Sequence, residues 1–211
     1  MSLDWKEIFQ TKYVGIIGMI IPLISIGAIL TSIILNSSWF AWTENALSDL
    51  GHYGNLGLIA LVFNLGLIIS GLLTIFFGLG FTWNAKEEFE GNLQYLAILG
   101  TLILTGAGAV LLGIGVFSED FGVIHRYFSI LFFVLLPFGM WFIGLAMLFK
   151  EELRLVGVLG ILIGFLGALS WILYFNQAVI PGNAIPEALA SFSVAFWVFL
   201  QSFRLYKLEP T

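Results

Sequence analysis

From Leu56 to Phe81 the chain reads LGLIALVFNLGLIISGLLTIFFGLGF, 26 residues without a charge. About 20 mainly apolar residues suffice for an α-helix to cross the hydrocarbon of a bilayer. A core helix of a soluble domain this long would show a polar face, and none is visible here. Five further stretches qualify: Val14–Leu35, Leu93–Phe117, Val123–Phe149, Leu155–Phe175 and Pro186–Phe203. The joints between the six are polar or charged. The reading is an all-α, polytopic membrane protein, with six transmembrane helices in one bundle and a single transmembrane domain over residues 1–211.

Composition agrees with this reading. Of the 211 residues 60% are hydrophobic and 10% charged, against about 45–50% and about 25% in soluble domains. Such a chain cannot cover itself with polar groups, so lipid must be part of its solvent. The net charge of −5 argues against nucleic acid as a partner, because phosphate binding needs a basic face. No cysteine is present, which removes disulfides, thiolate catalysis and Cys-ligated metal. Val14–Leu35 exceeds the core of a signal peptide, about 7–15 residues, and is read as a retained helix.

Lysine and arginine set the orientation. Lys6, Lys12, Lys86, Lys150, Arg154, Arg204 and Lys207 flank the spans at one end, and only Arg126 lies at the other. Seven against one places both termini in the cytoplasm and loops one, three and five outside the cell membrane. Aromatic residues mark both interfaces: Trp5, Tyr13, Trp83 and Tyr95 inside, and Trp39, Trp42, Tyr53 and Tyr174 outside. Within the spans, small residues recur at steps of four or seven: Thr101, Thr105, Ala109 and Gly113; Gly160, Gly164 and Ala168; Gly57, Asn64, Gly71 and Gly78. Such stripes let helices approach closely in lipid.

Chemistry concentrates in the outer loops. Loop one contains Ser48-Asp49-Leu50-Gly51-His52 and loop three contains Ser118-Glu119-Asp120-Phe121-Gly122, followed by His125-Arg126. Both histidines of the protein are here, with five carboxylates: Glu44, Asp49, Glu119, Asp120 and Glu187. Each loop carries a serine, an Asp-x-Gly step and a histidine. The plain reading is structural, since Ser and Asp cap helices and Gly permits turns. Asp120 is then the cap of helix 4, and Glu187 suits the positive end of the helix 6 dipole. The functional reading makes Asp49, Asp120, His125 and Ser48 catalytic, with His52, His125 and Glu119 as metal ligands. A helix N-terminus favours a neutral imidazole at His125, the form a metal ligand or general base requires. Arg126 is expected to fork a neighbouring carboxylate or else a lipid phosphate. Asn64, the one amide deep in a span, is expected to face inward and to floor an outward-opening cavity, where with Arg126 it would bind a ligand.

Several pieces carry a family resemblance: Leu47-Ser48-Asp49-Leu50-Gly51, Phe63-Asn64-Leu65-Gly66-Leu67-Ile68-Ile69-Ser70-Gly71, Gly115-Val116-Phe117-Ser118-Glu119-Asp120, and His125-Arg126-Tyr127-Phe128-Ser129 running into Phe132-Phe133. In order and spacing the chain resembles the bacterial and archaeal membrane proteins of the domain-of-unknown-function 998 family. It departs from the family pattern at Ser118, where proline is usual, and at Ser129, where alanine is usual. The family is distantly similar to eukaryotic membrane proteins of lipid-anchor remodelling and autophagy, and the resemblance therefore implies a membrane lipid as partner.

Three functional readings follow. One is a hydrolase or transferase acting on a lipid or lipid-linked group, with a divalent metal as cofactor. The second is a non-enzymatic lipid-binding, transport or scaffold protein. The third, placed behind these, is a haem protein ligated by His52 and His125. The chain has no His-Glu-x-x-His and no Gly-x-Ser-x-Gly, so no motif selects an enzyme class.

Overall fold

The computed structural model describes residues 10–176 and 179–208. Trp5 and Lys6 lie outside the described residues. Six long helices dominate: α1 Thr11–Leu35, α2 Ala60–Glu88, α3 Gly91–Val116, α4 Val123–Leu148, α5 Arg154–Phe175 and α6 Ala184–Lys207. All six are long and apolar enough to span a bilayer. Each packs on the next in sequence, and α6 returns to pack on α1, closing a ring.

The ring encloses two stacked apolar layers. One holds Val14, Phe77, Phe81, Met147, Trp197 and Leu205. The other, toward loops one, three and five, holds Leu50, Phe63, Ile114, Phe132 and Ala188. Aliphatic and aromatic faces turned outward, such as Leu23, Ile34, Leu72, Leu162 and Phe165, are what a helix presents to acyl chains.

Helix 2 starts later than the apolar run suggests. Gly57 sits at φ +56°, a left-handed conformation that ends the single helical turn Tyr53–Leu56. A short 3₁₀ turn leads from it into α2. Gly57 therefore belongs to loop one, with open space beside it, and is not part of the packing stripe of α2. The rest of that stripe does pack. Gly78 lies against Thr105, and Thr82 donates to Thr101 at 2.8 Å. A Cβ at Gly71 would come within 2.5 Å of the Leu112 amide nitrogen and 2.8 Å of the Gly108 carbonyl, so α2 and α3 touch there backbone to backbone. With no hydrophobic drive between helices in lipid, close packing of this kind holds the bundle together.

Gly71→Ala should therefore force α2 and α3 apart and cost about 1–3 kcal/mol. It should lower the melting temperature of the detergent-solubilised protein. Gly106, in the middle of α3 with no atom within 4 Å of a Cβ, is the control. Gly106→Ala should melt no lower than the native chain, since alanine is the better helix former.

Candidate functional site

Loops one, three and five meet at one end of the ring. Loop one makes short turns, and such turns leave backbone N–H groups without local partners. Distant carboxylates take them. The Leu47 amide donates to Glu187 Oε2 at 2.6 Å, and the Tyr53 and Gly54 amides donate to the two oxygens of Asp120 at 2.8 Å each. The Ala184 amide donates to the Asn45 carbonyl at 2.9 Å. Loop one is thus fastened to loop three by Asp120 and to the start of α6 by Glu187 and Asn45.

The expected cap of helix 4 is accordingly not formed. Gly122, at φ +53°, precedes α4 and no side chain caps the helix. Asp120 instead receives the Ser118 hydroxyl at 2.8 Å, the two loop-one amides, and the approach of His52 Nδ1 at 3.3 Å. Partial burial works against its ionisation, but the Gly54 and Tyr53 amides and the Ser118 hydroxyl outweigh it and hold the carboxyl down at about 2. With those bonds in place Asp120 is a latch between loops, and it does not line the cavity described below. His52 belongs to the same latch, its Nδ1 also accepting from the Asn55 amide at 3.2 Å.

Asn64 is buried and faces inward, but it floors no cavity. Its Nδ2 donates to the Gly51 carbonyl at 2.8 Å, and its Oδ1 lies so near Gly51 that a Cβ there would come within 2.5 Å. There is no space between the helix and the loop at this point. Through Nδ2 the amide pins loop one to α2, while its buried Oδ1 has no hydrogen-bond partner among the described residues.

His125 is buried at the start of α4. Its Nδ1 lies 2.8 Å from the Phe117 carbonyl, and its Nε2 lies 3.0 Å from Glu119 Oε2. A carbonyl only accepts, so Nδ1 carries a proton. The Nε2–Oε2 contact is within ion-pair distance. The hydrogen bond from His125 keeps the Glu119 carboxyl below the ordinary range against the cost of burial, and the Ser48 hydroxyl adds to this. Both ring nitrogens of His125 are therefore occupied, which overrides the dipole argument for a free neutral imidazole. His125 has no free ring nitrogen to offer a haem iron. His52 is turned to Asp120 and not to His125. Among the described residues no three of His, Asp and Glu come together as metal ligands, so the expected set of His52, His125 and Glu119 is only two-thirds assembled. Ser48 lies beside Glu119, and the ring nitrogens of His125 meet Phe117 and Glu119, so no serine–histidine hydrogen bond forms among the described residues.

Next to the Glu119–His125 pair a cavity of about 770 Å³ opens. Its mouth is lined by Glu44, Asn45, Ser48, Asp49, Glu119, His125, Arg126 and Glu187. Asp49 Oδ2 accepts from the Ala46 amide at 2.9 Å and from Asn45 Nδ2 at 3.1 Å. Arg126 is exposed and forms no ion pair among the described residues, so the carboxylate fork expected for it is not made. Below the mouth the lining becomes apolar and aromatic: Ile130, Phe133, Val134, Phe138 and Trp141 of α4, and Ala168, Trp171 and Ile172 of α5.

The splay of α4 and α5 makes this space. A Cβ at Gly157 would lie 2.6 Å from the Gly144 carbonyl, so the two backbones touch at that level. Nearer the loops, one indole separates them, with Trp141 over Gly164. Nearer still, two rings do, Phe133 and Trp171 with centroids 4.9 Å apart. From sequence Glu187 counts only as one of the outer carboxylates, suited to the helix 6 dipole, and neither it nor these tryptophans is among the expected site residues. Trp141 carried a signal, because it sits mid-span, away from the interfaces where tryptophan gathers.

Residues 19–204 match the family described as protein of unknown function (DUF998). The chain belongs to the DUF998 family. No curated protein and no solved structure matches it. The latch and the cavity of this DUF998 protein are thus read from its own residues.

The Asp120 latch has a signed pH dependence. A depressed carboxyl contributes stability that is fully present above its usual value, near 4, and is lost as pH falls through about 2. Asp120→Asn should destabilise the protein at pH 7 by about 1 kcal/mol, since the group is partly exposed and its charge is screened. Paired melts of the variant and the native chain should converge as the pH is taken from about 5 toward about 2.

Proposed function

We propose that this DUF998 protein binds a membrane lipid or lipid-linked group at the end formed by loops one, three and five, and that this end faces the outside of the cell membrane. One observation carries the reading. A single cavity joins a carboxylate- and histidine-lined mouth to an aromatic wall on α4 and α5. A head-and-tail molecule fits such a space and a small polar solute does not. The volume falls within the usual range of small-molecule sites, about 300–1,000 Å³. Ile130, Val134 and Phe138 line the cavity and are exposed, so an apolar chain can reach this part of its wall. The orientation rests on the seven-to-one distribution of lysine and arginine.

Binding is favoured over bond-breaking because the expected catalytic groups are engaged elsewhere. Asp120 is committed to the latch, His125 has both nitrogens taken, and Ser48 has an ionised carboxylate for a neighbour, a weak base.

Ala168 lines the groove on α5, and Ala168→Trp should fill it. Lipid that co-purifies with the native protein, measured by extraction and mass spectrometry, should be largely lost from this variant. Equal lipid content in the two proteins would overturn the reading. For the orientation, Thr43 and Glu90 are exposed at opposite ends of the ring. Single cysteines placed there should react with an impermeant reagent from opposite sides, Thr43→Cys from outside.

A further inference from the structure

Glu187 is 8% exposed and lines the cavity, yet its only hydrogen bond is from the Leu47 amide and it makes no ion pair among the described residues. A carboxylate removed from water requires a cation or a proton. The nearest candidates are spoken for or distant: His125 is held by Glu119, and Arg126 is exposed at the rim. Arg126 is the converse case, the one lysine or arginine at the end of the bundle formed by loops one, three and five, with no carboxylate paired to it among the described residues. A guanidinium placed so matches a phosphate in both charge and shape.

The two sit at fitting places. Arg126, Ile130, Val134 and Phe138 follow each other at four-residue steps and so form one line down α4. All four line the cavity, and all four are exposed. A phosphate at Arg126 puts the attached chains along the apolar part of that line. Glu187 and Trp171 line the same cavity, the one a carboxylate and the other an aromatic ring of the kind that attracts a cation.

We propose that the ligand is a zwitterionic phospholipid, its ammonium taken by Glu187 and its phosphate by Arg126. This rests on the lipid-binding reading above and names the headgroup that reading leaves open.

The test is competition among phosphatidylethanolamine, phosphatidylcholine and phosphatidylglycerol of identical acyl chains for the purified full chain in detergent, followed by native mass spectrometry. The native protein should prefer one or both zwitterionic lipids over phosphatidylglycerol by about tenfold, the worth of one charge-assisted contact. Preference for the ethanolamine head would put N–H donors on Glu187, and preference for the choline head would put a quaternary ammonium on Trp171; either supports the proposal. Glu187→Gln keeps an oxygen for the Leu47 amide and should reduce the preference to about twofold or less while binding persists. Phosphatidylglycerol bound as well as the others, or a preference untouched by Glu187→Gln, would overturn the headgroup assignment. The comparison within the native protein stands even if that variant does not fold. Ala168→Trp separates the two levels. If it abolishes binding of lipids that the native chain does not distinguish, only the headgroup inference falls. If it binds all three like the native chain, the cavity reading itself falls.

Discussion

Loop one, between α1 and α2, meets many of its backbone donors within its own turns but relies on distant side chains for those of Leu47, Tyr53 and Gly54. An unmet amide is expensive where it is buried, as at Leu47; Tyr53 and Gly54 are exposed. These three donors are met by carboxylates far along the chain: Leu47 by Glu187, 140 positions away, and Tyr53 and Gly54 by Asp120, 67 and 66 positions away. Much else at this end depends on that arrangement. It sets where loop three lies, it fixes the first turn of α6 against loop one, and it roofs the space in which His125 and Glu119 face each other.

The six helices were legible because the signal is local and repeated. Each apolar run declares itself without knowledge of its neighbours, and the interfaces between runs are charged. The site was legible to the level of which end of the bundle and which residue types. Pairing was not, because it is decided by long-range geometry. Asp120 has the sequence context of a cap for α4, three residues before the helix, but a 3₁₀ turn and Gly122 point it at loop one instead. Asn64 had to find a partner, and nothing in its helix could show that the partner is the Gly51 carbonyl and not a ligand. Glu187 has an adequate local explanation in the helix dipole, and that explanation hid its burial. Arg126, by contrast, was expected to pair with the carboxylates around it in sequence, and stays at the rim.

Small residues have two opposite consequences in this bundle. At Gly71 and Gly108 they bring α2 and α3 into backbone contact and close the space between them. At Gly144 and Gly157 they do the same for one end of α4 and α5, and this near contact acts as a fulcrum. Because the helices start so close, the indole of Trp141 and then the rings of Phe133 and Trp171 must drive them apart toward the loops. The cavity is the wedge left between a glycine hinge point and an aromatic spacer. It owes its depth to where the large residues stop being able to fill the gap.

The lining of that cavity comes from loop one, from α4 and α5, and from the first turn of α6. Its mouth is complete only when Glu187 has reached Leu47. During biosynthesis loop one emerges long before α6, so its Leu47 amide waits, unpartnered, through the insertion of four intervening helices. A nascent bundle that stalls before α6 joins the ring has no finished cavity to occupy. Completion of the cavity and closure of the ring are therefore the same event.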